Sequence, residues 1–175
     1  NGEYSSISGG QGNTGSGQYS SVSGGRYNKA SGNWSFVGGG GHSSSAYGNA
    51  AFSNYTPILG RSYNIAGDNS DPENHGVGEL STIVGGDANR ANGGWSSILG
   101  GKINEAYGSL SCVSGGHDNL SGGTYSRVSG GHNNWAYGQY SSVIGGENNM
   151  ASNDLDSVVG DTGHVWVDLI TTPVH

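Results

Sequence analysis

The sequence predicts an all-β protein, a parallel β-solenoid of about ten coils, and three observations support this fold class. The residue pattern repeats every 15 positions over most of the chain. Glycine supplies 36 of the 175 residues, a density that disfavours helices because each glycine costs about 1 kcal/mol relative to alanine there. Leu, Ile, Val and Phe together supply only 29 residues. That is too few for a conventional core and favours a thin, repeated one.

A low aliphatic content is also typical of disordered chains, but the rest of the composition argues against disorder. Only 11% of the residues are charged, and the chain contains 10 Tyr and 4 Trp, residue types in which disordered segments are poor. Collagen is excluded because glycine does not recur at every third position. We therefore expect an ordered chain whose order comes from repetition along one axis.

The charge balance and the apolar pattern exclude several kinds of partner. With 6 Lys and Arg and a net charge of −7, the chain has no basic footprint for nucleic acid. No apolar run approaches the ~18 residues of a membrane span, so we predict no membrane insertion within this segment. Cys112 is the single cysteine and cannot form an internal disulfide.

The repeat is clearest from Ala91 onward, where each unit contains a strand-like run, a glycine doublet and an asparagine. The doublet and the asparagine are expected to supply left-handed corners, which bulky residues adopt only at a cost. One short strand with such punctuation is typical of one solenoid coil. The slot that defines the ten coils holds a β-branched residue: Ile7, Val22, Val37, Ile58, Ile83, Ile98, Val113, Val128, Val143 and Val158.

Strand alternation predicts which side chains point inward. Residues two positions before the β-branched slot share its parity and are small, so they are expected inside a thin coil. We expect alanine from the return strand to face them, and the asparagines to stack as an internal ladder. The small residues are Ser5, Ser20, Ser35, Ser81, Ser96, Ser111, Ser126 and Ser141.

The outward parity is also substantially apolar, and this predicts a subunit interface along the rod. Each coil buries one Val or Ile, which stabilises it by about 1.5–3 kcal/mol. Large exposed apolar surfaces commonly mark protein–protein contacts, so the outward column is expected to be buried against another chain. Stacking on sugars is the alternative use of such a column. The predicted interface residues lie three positions before the β-branched slot: Tyr19, Trp34, Trp95, Leu110, Tyr125 and Tyr140.

Two insertions interrupt the register after Gly48 and are the predicted binding loops, with tolerated decoration as the alternative. About 5 extra residues are placed near 49–56 and 10 near 69–80, both at the corner between the turn glycine and the strand. Loops on a rigid scaffold commonly hold binding residues. The candidate binding residues, which include two tyrosines of the irregular set that follows the alanine slot, are Asn54, Tyr55, Asp71, Glu73, Asn74, His75, Tyr107 and Tyr137.

No catalytic set and no cofactor are predicted. His117, His132 and Glu147 follow the glycine doublet on successive coils and are weak candidates for a metal site. Lys102 on the preceding coil favours a solvated ladder instead. The acidic second insertion lacks the spacing of a calcium-binding EF-hand loop. We therefore expect a protein that is not an enzyme.

The chain is expected to form one repeat domain over residues 1–161. Residues 162–175 break the register and are predicted to form a capping strand or the start of a following domain. Gly2 already occupies the glycine slot of an earlier coil, so we expect a segment cut from a longer polypeptide.

The repeat A-x-G-x-Y-S-S-V-x-G-G-x-x-N-x resembles the head repeat of YadA-like trimeric autotransporter adhesins, and similar repeats occur in bacteriophage tail fibres. The segments 96–100 and 141–145 match the family's strand, and 106–108 and 136–138 match its turn. The resemblance covers about residues 2–160. It implies a left-handed parallel β-roll, three chains side by side and a role in adhesion. The unit is one residue longer than the usual head repeat, and the glycine doublet is unusual.

These observations together favour a non-enzymatic, extracellular adhesive or receptor-binding segment of a trimeric surface fibre. Its expected partners are two further copies of itself and a host-cell surface receptor, glycan or matrix protein. One alternative is a bacteriophage tail-fibre or tailspike module on the virion surface, for host recognition or spacing. Another is an ice-binding solenoid, whose regular outward Ser or Thr array would be interrupted here by Cys112 and Arg127. A polysaccharide depolymerase is a weaker enzyme alternative.

Overall fold

The computed structural model describes residues 2–68 and 78–160, which form a parallel β-solenoid of ten coils. Within these residues there are 19 strands of two residues each and one turn of 3-10 helix, Ser45–Tyr47. The strands are β1 (Ser6–Ile7), β2 (Thr14–Gly15), β3 (Ser21–Val22), β4 (Lys29–Ala30), β5 (Phe36–Val37), β6 (Ala50–Ala51), β7 (Pro57–Ile58), β8 (Ile65–Ala66), β9 (Thr82–Ile83), β10 (Arg90–Ala91), β11 (Ser97–Ile98), β12 (Glu105–Ala106), β13 (Cys112–Val113), β14 (Leu120–Ser121), β15 (Arg127–Val128), β16 (Trp135–Ala136), β17 (Ser142–Val143), β18 (Met150–Ala151) and β19 (Ser157–Val158). The predicted all-β solenoid with coils of about 15 residues is confirmed.

Two parallel sheets face each other across the solenoid. The odd-numbered strands form the ten-stranded sheet 1, and the even-numbered strands form the nine-stranded sheet 2. Neighbouring strands of a sheet are one coil apart, so Val113 pairs with Val128 and Ala106 pairs with Ser121. In the described part of the chain, no helix is long and apolar enough to cross a membrane.

The core is one side chain deep on each side. Sheet 1 contributes the predicted β-branched column, which is fully buried from Val22 to Val143, and sheet 2 contributes alanines opposite it. The small serines also point inward as predicted. Ser126 hydrogen-bonds Ser121 at 2.7 Å, whereas the buried hydroxyl of Ser96 has no hydrogen-bond partner among the described residues. In the coil of Ile58 the same column holds a threonine, Thr56, which is also fully buried.

A ladder of buried asparagines closes one corner of the solenoid. The Asn104 amide nitrogen Nδ2 donates to the carbonyl of Gly100 in its own coil at 3.0 Å and to that of Gly116 in the next coil at 3.0 Å. Its Oδ1 accepts the backbone N–H of Asn119 at 3.1 Å. Each asparagine thus fixes its own turn and the distance to its neighbour. The ladder consists of Asn13, Asn28, Asn49, Asn64, Asn89, Asn104, Asn119, Asn134 and Asn149.

The first insertion lies before residue 49, and its predicted position near 49–56 was wrong. Lys29 pairs with Ala50, 21 positions later instead of 15, so six residues are extra. They are residues 42–47, because Asn49 occupies the ladder and residues 50–58 follow the regular coil. The segment Ala46-Tyr47-Gly48 copies the alanine–tyrosine–glycine turn found later in the chain, and this copy shifted the predicted register.

The second insertion ends before Gly78, so the expected range near 69–80 extended too far. Ile58 pairs with Ile83, 25 positions later, which leaves ten extra residues. Leu80 is already in the regular coil, since its N–H donates to the carbonyl of Asn54 at 3.1 Å. The two insertions therefore leave the solenoid at different corners. The candidate residues Asp71, Glu73, Asn74 and His75 lie outside the described residues, as does the expected capping segment 162–175.

Bulky residues occupy two columns of left-handed corners, which differs from the expectation that glycine and asparagine would form them. Ile103 has φ 56° just before the ladder, and Trp95 has φ 56° in the outward aromatic column. Such a conformation costs about 1–2 kcal/mol for a residue with a Cβ. The corner is held because the N–H of Trp95 donates to the carbonyl of Glu79 in the preceding coil at 2.9 Å. The second glycine of the doublet is left-handed as predicted, for example Gly101 with φ 84°.

Alanine at Gly101 should disrupt the solenoid, whereas alanine at the neighbouring Gly100 should be tolerated. A Cβ at Gly101 would overlap the carbonyl oxygen of Gly116 in the next coil, in addition to the left-handed strain; a Cβ at Gly100 would meet no atom within 4 Å. In denaturant titrations we expect Gly101→Ala to lose more than about 3 kcal/mol and Gly100→Ala to change stability by less than about 0.5 kcal/mol. Equal losses would contradict the tight stacking of the doublets.

Removing one rung of the asparagine ladder should destabilise the whole rod. Asn104→Ala deletes two donated and two accepted hydrogen bonds in a fully buried site, so we expect a loss of about 3 kcal/mol or more in the free energy of unfolding. Asn148→Gly is the control, because it removes an exposed amide, with one exposed hydrogen bond accepted from Asn133, at a left-handed position that glycine accepts. If thermal melts show both variants equally stable, the ladder does not hold the coils in register.

Candidate functional site

The six extra residues 42–47 form a short ordered loop beside the outer face of sheet 2. Ser44 caps the 3-10 turn, accepting the N–H of Ala46 at 3.4 Å through its side chain. The carbonyl of Tyr47 accepts the N–H of Tyr63 in the next coil at 3.0 Å, in place of the carbonyl that a regular coil would supply. The loop is therefore fastened to the solenoid and stands over the neighbouring strands.

A groove of about 330 Å³ lies between this loop and sheet 2. Its lining contains Ala50 and Ile65, which are paired on adjacent strands, and the loop residues Ser45 and Ala46. Aromatic side chains complete it. We call this site the groove; its further lining residues are Tyr27, Lys29, Gly48, Phe52, Tyr63 and Arg90.

Two cations stand at opposite ends of the groove. Lys29, Ala50, Ile65 and Arg90 are paired in that order on successive strands, so the two cations are three rungs, or roughly 14 Å, apart at their backbones. No Asp or Glu occurs among the groove's lining residues. The groove is therefore a local positive site on an acidic chain.

The Arg90 guanidinium has a tyrosine, Tyr107, beside it. The Tyr107 hydroxyl raises the pKa of Arg90 above its usual value, with a smaller contribution from Glu105. Burial raises the pKa of Tyr107. Arg90 is thus a permanent cation. Glu105 lies on the next strand, on the side away from Lys29.

Tyr63 is shared by three adjoining depressions. Besides the groove, it lines one of about 220 Å³ with His42 and Asp87 and another of about 280 Å³ with Ile103 and Glu105. Residues 42–47 therefore add a wall to the groove and to the depression at His42, beside a third depression that regular coils form. The aromatic, cationic and small apolar lining of these depressions can bind a ligand, and on the His42 side the Ser62 hydroxyl donates to an Asp87 carboxylate oxygen.

The predicted binding residues are spread over three parts of the molecule. Asn54 accepts the N–H of Asn33 at 2.9 Å and belongs to a second corner ladder, and Tyr55 stacks on Trp34 in the outward column. Tyr107 lies beside Arg90, which lines the groove. Tyr137 lies on the same outer face of sheet 2, two coils further along, and is half exposed.

Six rings of the outward aromatic column stack face to face on one another. Tyr19 and Trp34 stack with ring centroids 5.4 Å apart, Trp34 and Tyr55 at 5.0 Å, and Tyr125 and Tyr140 at 4.9 Å, all within 12° of parallel. Rings in such stacks cover one another's faces. A sugar ring would need an uncovered aromatic face to stack on. The geometry favours contact with another protein surface over sugar binding.

The histidine ladder forms a mixed row of half-exposed side chains. His117 and His132 stack at 5.2 Å, and Nδ1 of His132 lies 3.2 Å from Oε1 of Glu147. Over residues 2–68 and 78–160, no group of three or more His, Cys, Asp or Glu side chains could hold a metal ion.

Sequence reasoning missed Lys29, Phe52, Tyr63 and Arg90 because the register was misplaced by the first insertion. A usable signal was present. Asn49 and Asn64 are 15 positions apart, as are Ala51 and Ala66, and anchoring on those pairs would have put the extra residues at 42–47.

A scan against protein-family models and a search of the curated proteins give no match to this chain. The residue pattern and the geometry are therefore the basis for any functional inference.

Deleting residues 42–47 should leave a folded solenoid without the groove, because Gly41 would then join Gly48 and restore a 15-residue coil. We expect a melting temperature close to that of the full chain. Deleting 49–54 removes the same number of residues but takes Asn49 out of the ladder, and this control should unfold or lose several degrees. If thermal melts show that the 42–47 deletion is less stable than the 49–54 deletion, the extra residues lie at 49–56 instead.

Proposed function

We propose that this chain is a non-enzymatic, rigid segment of a trimeric extracellular fibre that attaches to a host-cell surface receptor, glycan or matrix protein. The supporting observation is that the solenoid has two unlike faces. Exposed apolar side chains follow sheet 1 and its corner, and the groove opens on sheet 2. The first face suits assembly, and the second suits display of a binding site.

The apolar face supports the assembly part of the proposal. Leu59, Val84, Leu99 and Ile144 project from sheet 1 with 44–56% of their surface exposed. The aromatic column runs beside them over ten coils, roughly 45 Å. Soluble monomers rarely expose so long a contiguous apolar surface. The left-handed sense and the number of three chains come from the resemblance to YadA-like head repeats.

Multivalency supports the display part of the proposal. A rod of stacked coils holds the loop 42–47 in a fixed place, and three parallel chains would present three grooves at one level. Such an arrangement raises avidity without new contacts at each site. A bacteriophage tail fibre would use the same architecture, with the virion in place of the bacterial surface.

Sedimentation equilibrium of the full chain tests the assembly. We expect a species three times the 17.7 kDa chain mass. The double variant Trp34→Asn, Trp95→Asn should shift the chain toward monomer, because it removes two outward indoles at left-handed positions that asparagine tolerates. Tyr137→Asn is the control, since Tyr137 is similarly exposed on the opposite sheet. A stable wild-type monomer would refute the assembly.

Binding of the full chain to immobilised matrix proteins and glycans tests the adhesive role. We expect saturable binding to at least one of them. Absence of any binding, together with thermal hysteresis in ice-growth measurements, would instead establish the ice-binding alternative and overturn the proposal.

A further inference from the structure

We propose that the groove binds an acidic oligosaccharide, a sugar chain that carries carboxylate or sulfate groups; this assignment rests on the proposed adhesive function and names its ligand class. The groove provides the two kinds of group that such a ligand requires. Cations at its ends suit the acidic substituents, and aromatic side chains between them suit the sugar rings.

The charge distribution selects an anion. The chain carries a net charge of −7 and only 6 Lys and Arg, yet two of these six line one groove with no carboxylate in its lining. Lys29 has no ion-pair partner among the described residues. Arg90 has Tyr107 beside it and Glu105 paired with it on the strand away from Lys29. A fork-shaped guanidinium pairs well with carboxylate and sulfate oxygens.

The aromatic side chains of the groove differ from those of the outward column. Tyr63 meets Tyr47 edge-on, at 80° between the rings and 5.3 Å between centroids, and Tyr27 packs over Gly12. Neither ring lies in a parallel stack among the described residues, so each can offer a face to a sugar. The apolar faces of sugar rings pack on such aromatic surfaces.

The length of the groove favours an oligosaccharide ligand over a single small anion. Lys29 and Arg90 are roughly 14 Å apart at their backbones, with Ala50 and Ile65 between them. One inorganic anion could contact only one end. A nucleic acid would need a larger basic surface than two cations on an acidic protein.

Titration calorimetry of the full chain with a chondroitin sulfate hexasaccharide tests the proposal, and neutral cellohexaose is the reference probe. We expect the acidic probe to bind and the neutral probe to bind at least about tenfold more weakly, since two charge-assisted contacts would be lost. The double variant Lys29→Gln, Arg90→Gln should weaken the acidic probe by at least about tenfold. The deletion of 42–47 should do the same.

The control variant is Lys102→Gln, Arg127→Gln, which changes the net charge equally at two cations outside the groove. It should bind the acidic probe like the parent chain, and circular dichroism should show that both double variants are folded. Equal weakening by the two double variants, or equal binding of the two probes, would overturn the groove assignment. Binding to matrix proteins without any binding of the acidic probe would also overturn it and would leave the adhesive function standing. Failure to bind any protein or sugar would overturn both the groove assignment and the adhesive function.

Discussion

The asparagine ladder is the interaction on which the rest of the structure depends. A coil of 15 residues has room for one β-branched side chain and one alanine across its width, so hydrophobic burial alone cannot set the corner. Most ladder amides, such as that of Asn104, bond to their own coil and to the next coil, at contacts near 3 Å in a buried site. An amide left unpaired there would be costly. The register is thereby fixed at one residue per coil, and the chain can lengthen only between rungs, as both insertions do.

Much of the architecture was predictable because it repeats. The period, the inward β-branched and serine columns and the outward aromatic column follow from strand parity, and ten copies outweigh local exceptions. The bulky left-handed corners at residues such as Trp95 and Ile103 were not predictable from propensity. Their cost is offset by hydrogen bonds between coils, which only the stacked structure contains. Handedness and the number of chains depend on the same kind of long-range contact.

The site was harder to predict than the fold, for a physical reason. Lys29, Phe52 and Arg90 lie on different strands and become neighbours only when the register across both insertions is right. The turn-like segment 46–48 imitates a true coil corner, so parity placed Asn54 and Tyr55 in a loop although they lie in stacked columns. Insertions in a repeat can be located only after the coils have been aligned on a position that is structurally fixed. In this chain that position is the buried asparagine.

The narrow interior also has an evolutionary consequence. The inward column accepts only small side chains in the buried coils, with serine hydroxyls that find no partner, as at Ser96 and Ser111, and one threonine, Thr56. One position further along the same strands, the outward column holds residues as different as Ser97, Cys112 and Arg127 without any change in the coil. Inward-facing and outward-facing strand positions of this molecule thus differ in how much they vary between coils. The inward half of each strand is almost invariant from coil to coil, and the outward half can acquire new surface chemistry without cost to the fold.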